Sequence, residues 1–388
     1  MFDIPKRADG QTDHEYVEAL RAMGPVGRDR HGFVWVFSHE HMLACMDPTT
    51  TRQVETEKVA LMGLSEGPIY EYFANSLLFS NGEVHQRRRG PLARTFAFRM
   101  MEALRPRVRA VVLDLIEPGL NREVDFLEAI SGPLPARMIA EVIGVPAADV
   151  THVSGLVYPA MRALGLRGDI AALEPSLGAL DEYVEEMAAR PPAEGSFLAG
   201  FLPRCAENDL TLAEVRVQLT SVILAGSDTT RMALASTLSQ LAQRPDDWAA
   251  LRRDPEGMKS KVAAEGLRFD PVIGSLPRVA TDEMTLGGAV ITPGTVLNPI
   301  VPAILRDPDV YDRPADFDIN RTDHPRYHPV FGAGAHRCLG EALARAELEE
   351  ALSALAEKVN DLELIGPPPT LKGLSGARSI DAMHVRLA

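Results

Sequence analysis

The chain is poor in cysteine, in long apolar runs and in basic charge, and each shortage excludes something. Only three of its 388 residues are cysteine. Cys45, Cys205 and Cys338 lie too far apart for a disulfide framework, so a reducing cytoplasm is the expected compartment. No stretch approaches the roughly 18 consecutive apolar residues of a membrane span, and the first residues, Met1 to Arg7, lack the apolar centre of an export signal. The expected protein is soluble, with no membrane association. Lys and Arg number 40 against 54 Asp and Glu, a net charge of −14, which makes a poor binder of nucleic acid or anionic lipid.

What is present is an ordinary globular composition, 46% hydrophobic and 24% charged, enough to bury a large core. Length alone, at about 150 residues per domain, suggests two or three domains. No Gly/Ser-rich or charged linker divides the chain, so a single domain over residues 1–388 is expected, mainly α with a small β-rich portion.

Gly32 to Phe37 reads as a short strand, with Ser38 capping a helix after it. From Leu92 to Arg190 the pattern is helical, punctuated by Pro133, Pro146, Pro159 and Pro175. Thr211-Leu212-Ala213-Glu214 has the form of a capping box and predicts a helix running to about Gln243, ahead of Pro245. At about 1.5 Å per residue such a helix is roughly 45 Å long. Its middle, Val222 to Ala225, is apolar all round, so polar groups there need a reason. A second helix ends near Arg268, β-like segments lie around Gly287 to Leu297, a Pro- and Asp-rich meander runs from Arg306 to Pro329, and a last helix spans Cys338 to about Val359.

In Phe331-Gly332-Ala333-Gly334-Ala335-His336-Arg337-Cys338-Leu339-Gly340, two glycines permit a tight loop that presents a sulfur at a helix start. It is not a dinucleotide loop, because Arg337 stands where GxGxxG needs its third glycine. Read alone, Cys338 admits several roles: a small buried hydrophobe, a zinc ligand with His336, a nucleophile, or the single thiolate of a haem iron, whose porphyrin fills the equatorial plane.

The same ten residues resemble the haem-binding signature FGxGxHxCxG of the cytochrome P-450 superfamily at every fixed position. Ala225-Gly226-Ser227-Asp228-Thr229-Thr230 resembles that family's AGxDTT motif, and Glu265-Gly266-Leu267-Arg268 its ExxR pair, in the family's order. The resemblance implies the cytochrome P-450 fold, in which a long central helix and the cysteine-ligand loop sandwich haem b (iron protoporphyrin IX). It implies Cys338 as the iron ligand, and His85, Arg89, Arg278 and His336 as partners of the haem propionates. Phe331, Gly226 and Gly340 would contact the cofactor. Gly226 weakens the helix and would leave room for a diatomic ligand, while Asp228 and Thr229 would be catalytic, delivering protons for O–O cleavage. Glu265 and Arg268 would be a structural pair holding the meander. Its third partner is open, because Pro314-Ala315-Asp316-Phe317 replaces the family's Pro-x-Arg-Phe.

Such an enzyme would be a haem-thiolate monooxygenase that takes O₂ and two electrons from a separate ferredoxin or flavodoxin, served by an NAD(P)H-dependent reductase. From His85 to Arg109 there are eight arginines and one acid, Glu102, a local excess of seven positive charges. Docking of an acidic donor near Arg87, Arg88 and Arg99 is therefore expected. The pocket segments offer Phe73, Leu78, Ile223, Ala225 and Val272, which suit an apolar small organic molecule, hydroxylated or oxidatively dealkylated. A peroxide-driven haem enzyme and a non-catalytic haem sensor or carrier are the alternatives.

Overall fold

The computed structural model describes residues 1–96, 98–165 and 169–388. Thr211 and Glu214 cap the long helix Leu212–Ala242 reciprocally, with the Glu214 amide donating to Thr211 Oγ1 at 3.2 Å and the Thr211 amide to Glu214 Oε2 at 2.9 Å. The expected start and the end before Pro245 are both found. Pro159 and Pro175 lie inside the helices Val150–Leu164 and Ile170–Ala189 rather than ending them. Each removes one backbone donor, and burial of Val153, Val157, Ala160, Leu177 and Leu180 outweighs that loss. No helix among the described residues is long and apolar enough to cross a membrane.

The chain divides into two compact units, each assembled from separated stretches. One comprises Met1–Val54, Met232–Cys338 and Leu362–Met383. Its sheet has six strands in the spatial order Phe2–Asp3, Val26–Arg28, Val34–Val36, Val296–Pro299, Arg278–Ala280 and Thr51–Gln53. Val34 pairs with Leu297 and Val26 with Val36, which places Val26, Val34, Val36 and Leu297 in one buried cluster with Leu286 and Ile291. The segment expected to be β around Gly287 to Leu297 resolves into Ala289–Ile291 and Val296–Pro299. Gly287 and Gly288, at φ 53° and 75°, turn the hairpin from Met284–Leu286 to Ala289–Ile291, a turn that needs left-handed backbone at both central residues.

The helix Pro255–Phe269 carries the ExxR residues in this unit. Glu265 and Arg268 are 0% exposed and bonded fork to fork, Nε to Oε2 and Nη2 to Oε1, both at 2.7 Å. Arg268 also donates to the carbonyls of Leu305, Pro314 and Asp316 at 2.7–3.0 Å, and Glu265 accepts the Asp318 amide at 2.7 Å. Arg321 is the third partner, its Nε 3.4 Å from Glu265 Oε2 and its side chain almost wholly buried.

The other unit comprises Glu55–Arg231, Leu339–Asp361 and His384–Ala388. Its core gathers Phe73, Leu92, Ile139, Val157, Leu180, Phe201, Leu219 and Ile223. The strand Arg122–Asp125 pairs antiparallel with His384–Leu387. The last helix is Glu341–Lys358, so Cys338 lies three residues ahead of it rather than in its first turn. Within that helix Glu347 is 1% exposed and neither carboxyl oxygen has a hydrogen-bond partner among the described residues. Burial pushes this carboxyl up to about 8, and the nearby Thr230 hydroxyl works in the opposite direction.

Replacing Arg268 with Met leaves Glu265 in a dry interior without its fork-to-fork partner, with Arg321, His324 and the Asp318 amide to answer it, at a cost of about 3 kcal/mol or more. The exposed pair Lys372–Asp381 is the control, and Lys372→Met should leave the unfolding midpoint essentially unchanged. Urea unfolding of both variants checks the contrast. Glu347 carries the opposite sign from a salt-bridged acid. Its folded form holds a proton that the unfolded chain releases in the ordinary carboxylate range, so its stabilising protonation is complete below that range and is lost as pH rises toward about 8. Glu347→Gln should therefore match wild type near pH 5 and exceed it at pH 8 by a few kcal/mol, roughly. Urea midpoints of the two proteins at both pH values measure this.

Candidate functional site

The cysteine loop is shaped by two glycines. Gly332 and Gly334 adopt φ 71° and 65°, a left-handed backbone that favours residues without a Cβ. The turn brings the Cys338 amide to the Phe331 carbonyl at 2.9 Å and lets Arg337 donate to the Gly332 carbonyl at 3.1 Å. The Arg337 guanidinium lies over the Tyr327 ring at 4.7 Å, which ties the loop to the segment just before it. Cys338 is exposed and forms no disulfide. Cys45 and Cys205 are the contrast: both are buried, and burial pushes both thiols up to about 12. Of the three sulfurs, Cys338 alone is presented as a ligand would be.

Arg278, on the strand Arg278–Ala280 of the same unit, is 6% exposed. It donates to the Gln53 side-chain oxygen and to the Pro277 carbonyl at 2.9 Å, and no carboxylate among the described residues pairs with it. Desolvation brings this guanidinium down to about 10. A buried cation with no counter-anion is costly, and a propionate is the kind of group that would relieve it. His336 is half-buried in the loop. A soft sulfur on an open loop and an uncompensated buried cation together fit a haem.

In the other unit, residues 217–231 of the long helix are buried except along one face. Ala225 is exposed and Val222, Gly226 and Thr229 are half-buried, while Ile223, Leu224, Ser227 and Thr230 are buried. Thr229 Oγ1 donates back to the Ala225 carbonyl at 2.9 Å on the exposed face, and Ser227 Oγ to the Ile223 carbonyl at 2.7 Å in the buried interior, so both hydroxyls are satisfied within their own helix. Asp228 is 8% exposed, not on a solvent face. Burial raises its carboxyl, and Arg231, 3.8 Å away, offsets part of that. Gly226 has a reason beyond room for a ligand. A Cβ there would sit 2.9 Å from Ile139 Cδ1 and Cγ1, so the glycine is what lets the helix Pro133–Ile143 approach.

The helix Gly82–Thr95 carries the remaining cationic residues. His85 is buried and Arg89 half-buried, one turn apart, and burial with the neighbouring Arg89 charge brings His85 down to about 4. It is a neutral donor or acceptor near pH 7. Arg87 and Arg88 do not form an open docking face. Arg88 is buried, donating to Glu214 at 2.8 Å and to the carbonyls of Ser76 and Ala74, and Arg87 bonds the same Glu214. Burial would raise Glu214, but these arginines and its cap hold it down at about 2. Further along, Arg105 pairs with Glu102, Glu349 and Glu350, Arg107 with Glu141, and Arg109 with Glu357. Much of the local positive excess is thus answered by acids distant in sequence, while Arg99 is exposed.

Of the expected pocket residues, Phe73 and Ile223 pack in the core cluster, with Phe73 stacked on Phe79 at 4.2 Å between centroids. Leu78 and Ala225 are exposed, and Val272 is buried in the other unit. Three participants escape a reading of motifs. Arg321 has no fixed spacing to Glu265, Glu347 looks like one of a run of solvated acids with Glu349 and Glu350, and Arg231 follows the AGxDTT residues without belonging to them.

The family model described as cytochrome P-450 matches residues 258–358. Over 386 residues the chain is 36% identical to the plant-inducible cytochrome P-450 pinF1 of Rhizobium radiobacter, spanning 97% of this chain and 90% of that protein. Luteothin monooxygenase of Streptomyces thioluteus is 31% identical over 335 residues, spanning 84% and 82%. Among solved structures, CalO2 aligns with a TM-score of 0.87 at 27% identity, covering 96% of this chain and 95% of that one. Identity at this level along almost the whole length, and not the fold alone, shows that the chain belongs to the cytochrome P-450 family of oxidoreductases and is a monooxygenase.

Proposed function

We propose that the whole chain works as one catalytic domain that binds haem b and hydroxylates or oxidatively dealkylates an apolar small organic molecule, using O₂ and two electrons from a separate protein. The observation that carries this reading is the exposed Cys338 sulfur on its glycine-turned loop. Cys338 would ligate the iron. Arg278, His336, His85 and Arg89 would answer the propionates, and Phe331, Gly226 and Gly340 would contact the macrocycle. When bound, a thiolate-ligated haem supplies O₂ reduction and oxygen insertion into a C–H bond.

The chain's own residues would manage protons and water. Asp228, buried and raised toward its protonated form, would take up and pass on a proton at its carboxyl. Thr229 Oγ1, now donating to the Ala225 carbonyl, can turn to pass that proton toward the exposed face of the helix. Luteothin monooxygenase and Nocardicin C N-oxygenase are named for oxidation of luteothin and of nocardicin C, and the apolar residues Phe73, Leu78, Ile223, Ala225 and Val272 suit an apolar small molecule here. A cytoplasmic ferredoxin or flavodoxin with an NAD(P)H-dependent reductase is the proposed donor, docking where Arg99 is exposed.

The reduced, haem-loaded protein with CO should show the strongly red-shifted Soret band of thiolate ligation, and Cys338→Ser should lose it. An unshifted band in the wild-type sample overturns the reading. Thr229→Ala should bind substrate about as well as wild type yet release several-fold more of its reducing equivalents as hydrogen peroxide. Peroxide and product per NAD(P)H are the measurements, and unchanged coupling removes Thr229 from proton delivery.

A further inference from the structure

Two residues beyond Thr229, the long helix carries an arginine that motif and family similarity leave without a role. Arg231 is 8% exposed. Its Nη2 donates to Glu128 Oε1 at 3.1 Å, and its Nη1 lies 3.8 Å from Asp228 Oδ1. The guanidinium carbon sits 3.9 Å from the centre of the Tyr158 ring, a stacking distance. Nε is buried and has no hydrogen-bond partner among the described residues. Space for the stack comes from Gly132, where a Cβ would stand 3.0 Å from Tyr158 Oη and 3.3 Å from Arg231 Nε.

This cation is divided between two acids of unlike surroundings. Glu128, in the π-turn Leu127–Ser131, has a side chain 73% exposed and holds the hydrogen bond. Asp228 is buried and has the longer contact, although an arginine fork can engage a carboxylate through two parallel bonds. Arg231 on its own helix and Tyr158 on the helix Val150–Leu164 act on Asp228 directly, and Glu128 on the π-turn reaches it through the guanidinium they share. Burial pushes the Tyr158 phenol up to about 12, so it stays neutral, and the contest is between two carboxylates for one guanidinium. Losing Arg231 costs an exposed acid little and a buried acid much.

We propose that Arg231 is a positioning residue shared by Asp228 and Glu128, so that the state of the exposed Glu128 carboxylate sets how readily buried Asp228 is protonated. While Glu128 holds the guanidinium, Asp228 is under-compensated and takes up a proton from water. When Glu128 is neutralised, Arg231 moves onto Asp228 and stabilises its anion. This rests on the monooxygenase reading only in giving the Asp228 proton a use.

The test reads the Asp228 carboxyl directly in the haem-loaded enzyme, as the infrared carbonyl stretch that Asp228→Asn removes, titrated against pH. Glu128→Gln should lower the Asp228 midpoint by about one pH unit, and Arg231→Met should raise it by at least as much. Combining the two separates a shared cation from simple repulsion by Glu128. In the Arg231→Met background, Glu128→Gln should shift the midpoint by less than about a third of its effect in wild type. An equal shift in both backgrounds, or no shift in either single variant, overturns the proposal. Because Glu128 is on the surface, its variant does not endanger folding. The CO spectrum of the same samples shows separately whether the haem-thiolate reading has failed.

Discussion

A guanidinium wholly out of water must have its donors answered, and Arg268 is where the unit that carries the cysteine is tied together. Two of its bonds go to Glu265 and three to the carbonyls of Leu305, Pro314 and Asp316. That stretch has little regular secondary structure, so its carbonyls need partners from elsewhere. One helix-borne charge therefore organises the irregular chain that leads to Cys338. The isolated pair would be too costly to bury. With Arg321, His324 and the Asp318 amide also around Glu265, the desolvation is offset.

Charge in the other unit follows the same rule in a wetter setting. The segment His85 to Arg109 looks like a field of one sign, yet Arg87 and Arg88 converge on Glu214, and Arg105 and Arg109 reach Glu349, Glu350 and Glu357. These pairs link the Gly82–Thr95 helix to the start of the long helix and the Arg105–Ile116 helix to the last one. A count of charges along a chain measures a field only where the partners are local. Here they lie more than a hundred residues away.

The long helix shows which polar groups tolerate a dry interior. Ser227 and Thr237 bond to the carbonyl four residues back, which needs no tertiary partner. Asp228 cannot do this and depends on Arg231, which depends in turn on Tyr158, Glu128 and the space left by Gly132. Glu347 has no such support and stays protonated instead. The three cases grade from side chains satisfied within their own turn, to one satisfied by a network, to one that gives up its charge.

Periodicity and capping were enough to read the mainly helical class, the bounds of the long helix and the strand before Ser38, because those depend on neighbours within about four residues. The motifs likewise marked Cys338, Asp228, Thr229, Glu265 and Arg268, since short-range chemistry dictates their spacing. Residues whose role depends on distant partners were illegible. Pro159 and Pro175 sit inside helices because their neighbours are buried, Arg88 is lost to docking because Glu214 claims it, and Arg321 completes the ExxR pair across 56 residues of sequence. Identity and spacing name a side chain's chemistry. Burial and the partner across the fold settle whether that chemistry is charged, neutral or merely structural, because desolvation and Coulomb energy depend on distance in space and not along the chain.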